Sequence, residues 1–139
     1  MFISDNGLKI LTLREGKRNK AYLDTKGIWT IGVGHTGPEV KAGLVWTDQQ
    51  IEEALRKDIK TSELCINTST LVPLTQNQFD ALVSFVFNVG VNAFKRSTML
   101  KFINLKQFTK AMLEFNRWHI PPEITSRRNS ERDQFNTGI

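Results

Sequence analysis

EGKRNKAYLDTKGIWTIGVGHT, running from Glu15 to Thr36, sets two carboxylates and a hydroxyl around what reads as a helix end followed by a hairpin. Gly16 is the stop signal for the helix that carries Glu15. From Ala21 to His35 the residues turn β-like. Asp24-Thr25-Lys26-Gly27 is a turn whose glycine takes positive φ, flanked by Tyr22 and by Ile28, Trp29, Thr30, Ile31 and Val33. With Thr25 to Gly27 as a three-residue loop, Asp24 lies opposite Ile28 and Tyr22 opposite Thr30. Asp24 and Thr30 then become diagonal neighbours on one face of the hairpin.

Two carboxylates in different surroundings can divide acetal hydrolysis, one protonating the leaving oxygen and one acting on water or the sugar. Glu15 closes a helix, where unsatisfied carbonyls disfavour an anion and suit an acid. Arg14, Lys17 and Arg18 pull the other way, so the sequence gives no net direction. Asp24 is a good turn opener, because its side chain accepts backbone N–H bonds, and that role is compatible with an ionised catalytic carboxylate. Thr30 taken alone is an ordinary β-branched strand residue. On the face of Asp24, its hydroxyl can orient a water.

The rest of the chain reads as helical. Ser4 to Arg14 suits a first helix with Ser4 or Asp5 as N-cap and Leu8, Ile10 and Leu11 facing inward, with Gly7 as its weak point. Thr47 and Gln50 make a capping box ahead of Ile51, Ala54, Leu55 and Ile59; Thr75 and Gln78 make another after Pro73. The second opens FDALVSFVFNVG, apolar almost all round and so expected as a central buried helix. Further helices are expected over Asn92 to Ile103 and Leu105 to Trp118. A last one is capped by Thr125 or Ser126 and ends near Gly138, with Pro121-Pro122 enforcing a loop before it.

A chain of 139 residues can bury a core as one domain without metals or disulfides. The lone Cys65 excludes an internal disulfide and a cysteine zinc site, and His119 has no companion at ligand spacing, so no metal and no cofactor are expected. No signal peptide is legible, and nowhere do about 18 apolar residues run together. The net charge of +5 reads first as a solvated basic surface and otherwise as affinity for a polyanion. Without a groove-reading element it is weak evidence for nucleic acid, which is not expected as a partner.

The Glu-x8-Asp-x5-Thr interval of Glu15, Asp24 and Thr30, with Tyr22, Gly27, Gly32, Gly34 and His35 around it, resembles the phage-type lysozymes. These are the endolysins of glycoside hydrolase family 24, the T-even phage enzymes among them. The resemblance continues through FDALVSFVFNVG, FKRSTML, NRWH and SRRNSERDQFNTG, most of the chain. It implies an α+β, two-lobed lysozyme fold in a single domain, residues 1–139. The small lobe would span about 15–50, a long interlobe helix about 48–66, and a helical lobe about 70–139 with the N-terminal helix packed on it.

It also implies a muramidase. Such an enzyme hydrolyses the β-1,4 bond between N-acetylmuramic acid and N-acetylglucosamine of peptidoglycan, with Glu15 as general acid, Asp24 and Thr30 on the water, and inversion at the anomeric carbon. His35 would pair with Asp58 in RKDIK and stabilise the fold near neutral pH. Phe87 and Ser97 would contact substrate, although Phe87 could equally be core and Ser97 a helix N-cap. Arg127 would face the catalytic glutamate across the cleft, or be one more solvated cation. A monomer held in the host cytoplasm, reaching the wall through a holin pore without stable membrane insertion, completes the expectation.

Three departures narrow the resemblance. HIPPEI, His119 to Ile124, replaces a Gly-rich stretch; the loop from Gly37 to Trp46 is short; and no signal-anchor is legible at the N-terminus. The competing classes are a lytic transglycosylase, which needs no water-activating Asp24 and Thr30, and a non-catalytic wall-binding or membrane-active basic protein. Killing by a membrane-active protein would survive Glu15→Gln.

Overall fold

The computed structural model describes residues 1–119 and 121–137. The chain separates into two compact units, Lys9–Lys60 and Met1–Leu8 together with Thr61–Ile139. The first helix, α1 (Asp5–Glu15), ends on Glu15 immediately before Gly16. Ser4 is its N-cap, the hydroxyl accepting from Gly7 N at 2.9 Å.

In the unit Lys9–Lys60, strands β1 (Arg18–Leu23) and β2 (Trp29–Gly32) pair antiparallel, with Tyr22 opposite Thr30 and Leu23 opposite Trp29. That is the register of the three-residue loop, and Gly27 takes φ +77° within it. β1 starts earlier than Ala21 because a bulge between Arg18 and Tyr22 keeps the strand paired. β2 stops short of His35. Gly32 and Gly34, both at φ +66°, fold the chain back so that His35 bridges Ile31 instead of extending the strand. Ala21, Ile31 and Val40 form this unit's small core, with Trp29, Leu44 and Trp46 against it. Helix α2 (Asp48–Asp58) carries the expected capping box of Thr47 and Gln50 and buries Ile51 and Leu55.

The helix expected over 48–66 is two helices, α2 and α3 (Lys60–Ser69). Buried Ile59 lies between them at φ −79°, ψ −10°, a tighter turn than the α-helix, which interrupts the hydrogen-bond ladder. Cys65 on α3 is buried.

In the other unit, α4 (Gln76–Val89) is the buried helix that its composition requires, every residue from Gln78 to Val86 being inaccessible. Its Asp80 accepts from Ser4 N at 3.0 Å and from the Ser4 hydroxyl. A Cβ on Gly7 would sit 2.5 Å from the Asp80 carboxyl carbon, so the glycine that weakens α1 by propensity is the one that admits Asp80. Phe85 meets Phe94, Phe115 and Trp118 edge to face, at centroid distances of 6.4, 5.2 and 5.6 Å.

The two long helices expected after α4 are broken up. α5 (Val91–Lys95) and α6 (Thr98–Asn104) are separated by Ser97, which caps α6. Lys106 at φ +57° breaks the chain again before α7 (Phe108–Glu114), which a 3₁₀ turn over Phe115–Arg117 continues. The last helix, α8 (Thr125–Asn136), has no side-chain cap. A 3₁₀ turn over Pro122–Ile124 runs directly into it, so Thr125 and Ser126 are already helical. Gly138, where this helix was expected to end, lies outside the described residues.

Candidate active site

The hairpin turn organises the site carboxylate. Asp24 Oδ1 accepts from Lys26 N and Ile28 N, both at 2.8 Å, while Asp24 N donates to Ile28 O at 3.0 Å. A side chain tied to two backbone donors is fixed in direction, and among the described residues Oδ2 meets no hydrogen-bond donor. Thr30 is 4% exposed and donates its hydroxyl to Ile28 O at 2.9 Å. With its proton committed, Thr30 Oγ1 meets any further partner as an acceptor.

Glu15 is half-buried at the end of α1. Two of the cations near it in sequence are engaged with other groups. Lys17 Nζ lies 3.1 Å from Asp48 Oδ1, and the Arg18 guanidinium sits 4.5 Å from the Tyr22 ring centroid. The Asp48 carboxyl is held below the usual carboxylate range, first by the hydrogen bond from Asn19 and then by Lys17.

His35 lies between two carboxylates. Nδ1 is 2.7 Å from Asp58 Oδ2, and Nε2 is 2.7 Å from Glu39 Oε1. The Asp58 contact is the one that the resemblance implies; Glu39 was not legible, because only the folding back of the loop brings it to the ring. Burial alone pushes the imidazole down, but the bonds to Glu39 and then Asp58 outweigh it and leave the His35 pKa raised. The Glu39 carboxyl is lowered in turn, chiefly by its bond to His35.

The remaining residues lie in the helical unit. Phe87 is half-buried, immediately after the fully buried run of α4. Ser97 is 4% exposed; its hydroxyl donates to Phe94 O at 2.7 Å and accepts from Leu100 N at 3.1 Å. Arg127 is not a solvated cation. Its Nε donates to Glu131 Oε2 at 3.1 Å and its Nη2 to Ser84 O at 2.9 Å. Glu131, wholly buried, also accepts from the Ser84 hydroxyl and from Arg128, each at 2.5 Å. Arg128 is equally buried; it donates to Trp118 O at 2.9 Å and to Asn88 Oδ1, and lies 5.0 Å from the Phe85 ring. SRRNSER, which reads as a basic surface, is therefore in large part a buried ion network. The signal was present in the i, i+3 and i, i+4 spacing of Glu131 from its two arginines.

Among the described residues no group of three or more His, Cys, Asp or Glu side chains is arranged to hold a metal ion, and no helix is long and apolar enough to cross a membrane.

The sequence model of the phage lysozyme family matches residues 13–131. The chain belongs to the phage lysozyme family. It is 43% identical to the endolysin of Salmonella phage P22 over 97% of this chain and 98% of that one. A crystal structure of a P22 lysozyme mutant superposes with a TM-score of 0.91 at 42% identity, covering 97% of this chain and 98% of the other. The muramidase domain of SpmX from Asticaccaulis excentricus is 35% identical, with a TM-score of 0.87 and 96% of both chains covered. As a family member the chain is a lysozyme-type glycosidase with the α+β lysozyme fold, an endolysin enzyme of peptidoglycan lysis.

Proposed function

We propose that this phage lysozyme is a muramidase that cleaves the β-1,4 bond between N-acetylmuramic acid and N-acetylglucosamine, with Glu15, Asp24 and Thr30 as its reacting set. Glu15 protonates the departing glycosidic oxygen. A water donates one hydrogen to Asp24 Oδ2 and the other to Thr30 Oγ1, which leaves its lone pair for the anomeric carbon. Asp24 takes the proton as the water adds, and a base acting on water from the side opposite the acid gives inversion.

The observation that carries this reading is the hairpin itself. Asp24 has one oxygen fixed by the turn, and the Ile28 backbone that it binds is held from its carbonyl end by a threonine whose proton is already used. Phe87, less buried than the residues before it on α4, is the apolar surface we assign to a sugar face. The reading needs no cofactor and no second copy of the chain. It places the enzyme in the host cytoplasm until a membrane pore admits it to the wall.

Digestion of purified peptidoglycan in heavy-oxygen water, followed by mass spectrometry, tests it. The expected product is N-acetylmuramic acid labelled at its reducing end, absent with Glu15→Gln. Unlabelled anhydro-sugar would establish a transglycosylase, and label at N-acetylglucosamine would establish a different bond. Undiminished product from Glu15→Gln would remove Glu15 as the acid.

A further inference from the structure

We propose that Glu39, His35 and Asp58 form a proton-operated clasp that fastens the Gly34–Val45 segment to α2, and that loss of one proton from His35 opens it. Each imidazole nitrogen lies 2.7 Å from a carboxylate oxygen. A neutral imidazole has one N–H and satisfies one carboxylate; only the imidazolium donates to both. The closed geometry therefore requires the charged ring.

The backbone of the residue that carries the ring is tied to the hairpin. Ile31 N donates to His35 O and His35 N to Ile31 O, each at 2.9 Å, next to Thr30 in sequence. Asp58 supplies the anchor on α2. Glu39 closes the other side from within the segment, where Val40 N donates to Gly37 O at 3.0 Å and Val40 enters the core of Ala21 and Ile31. Releasing the clasp loosens the near half of the segment over that core, while its far end stays held by Ala21 N donating to Leu44 O at 2.9 Å.

Gly37 is an independent sign that the Glu39 contact is built in. A Cβ there would lie 2.5 Å from Glu39 Oε2 and 2.8 Å from Oε1, displacing the carboxylate from the ring. Only a glycine leaves the space that the contact needs.

The surrounding charges favour the proton. Glu39 from the loop and Glu53, Arg56, Lys57 and Asp58 from α2 line one concavity with His35 and the Trp46 ring, whose centroid is 5.3 Å from the imidazole. β2 brings no ionisable group. Those five charges sum to −1, which the imidazolium neutralises. After deprotonation, two carboxylates face a single N–H. The raised pKa of His35 and the lowered one of Glu39 agree with this balance.

The experiment is a proton NMR titration of the His35 ring, with amide exchange followed at Ile31 and His35 in the intact chain. His35 is expected to titrate above the ordinary imidazole value. Glu39→Gln and Gly37→Ala should each lower its midpoint, the second without removing any ionisable group.

Protection of the two amides, corrected for intrinsic exchange, should fall about tenfold per pH unit as pH rises between the open-state and closed-state midpoints of His35. A His35 midpoint at or below the ordinary imidazole value, or one that neither variant moves, would overturn the clasp, as would protection independent of pH. Both variants change residues outside the buried core, so their folding is not at issue.

Discussion

Asp24 and Thr30 hold the same residue by its two ends: Ile28 N donates to Asp24 Oδ1 at 2.8 Å, and Ile28 O accepts from the Thr30 hydroxyl at 2.9 Å. A turn residue and a strand residue are thereby fixed relative to each other through one residue's backbone groups, with no side chain between them. Such fixed separation is what a pair of water-positioning groups needs.

Asp24→Asn separates the turn role of this residue from its chemical role. The amide oxygen can still accept from Lys26 N and Ile28 N, so the hairpin should persist with little change in melting temperature. Turnover on purified peptidoglycan should fall by about 10²–10⁴-fold, the usual range for a lost acid–base group, while wall binding remains. Retained turnover would leave Asp24 as a turn residue only.

Thr30→Val removes the hydroxyl at nearly constant shape. It removes one of the two donors to Ile28 O, which keeps its bond from Asp24 N, so stability should drop by roughly 1 kcal/mol or less, and kcat should fall more than KM rises. Thr30→Ser keeps the hydroxyl and should restore most of the rate. If Val and Ser turn over alike, the water is held by another group.

The clasp around His35 makes stability depend on pH in a defined window. A raised His35 pKa contributes stability that is complete below the ordinary imidazole value and lost as pH rises through the raised one. The lowered Glu39 pKa contributes above the ordinary carboxylate value and is lost as pH falls through the depressed one. The two overlap between about pH 4.3 and about pH 6.5, the ordinary values of the two groups. In denaturant titrations Glu39→Gln should lose most stability in that window and less at both extremes, and the loss in Asp58→Asn should shrink as pH rises through the raised His35 value. A loss of the same size at every pH would mean that Asp58 acts through shape alone.

Gly7→Ala should destabilise the fold by about 1–3 kcal/mol, against the gain that helix propensity predicts, because the new methyl meets Asp80 where Asp80 holds Ser4. Calorimetry decides the sign. Pairing it with Asp80→Ala should abolish most of the penalty.

The hairpin could be read from sequence because its turn residues and β-branched run act locally, and the tight loop leaves one register. The capping boxes at Thr47 and Thr75 were legible for the same reason. Glu39 was not, since its approach to His35 depends on the turn around Gly37 and on α2 arriving from elsewhere. Nor was the burial of Arg128 and Glu131: a charge run has the same composition whether it is solvated or paired inside a core, and only the neighbouring Phe85 and Ser84 decide. Around Ser97 the sequence predicts longer helices than form, because apolar spacing continues across breaks that one hydroxyl and one positive φ create.

Ser97 offers the sharpest contrast between resemblance and geometry. The resemblance implies a substrate contact there, or else a helix N-cap; the hydroxyl is buried, gives its proton to Phe94 O and accepts from Leu100 N as the N-cap of α6. Ser97→Ala should cost about 1–2 kcal/mol of stability, the usual loss for a cap, and leave KM on peptidoglycan unchanged at temperatures where the variant is folded. Ser97→Thr, which retains the cap, should keep more of that stability than Ser97→Ala. A KM that rises in Ser97→Ala at unchanged kcat would return the residue to the substrate, because losing a helix cap does not by itself weaken substrate binding in molecules that remain folded.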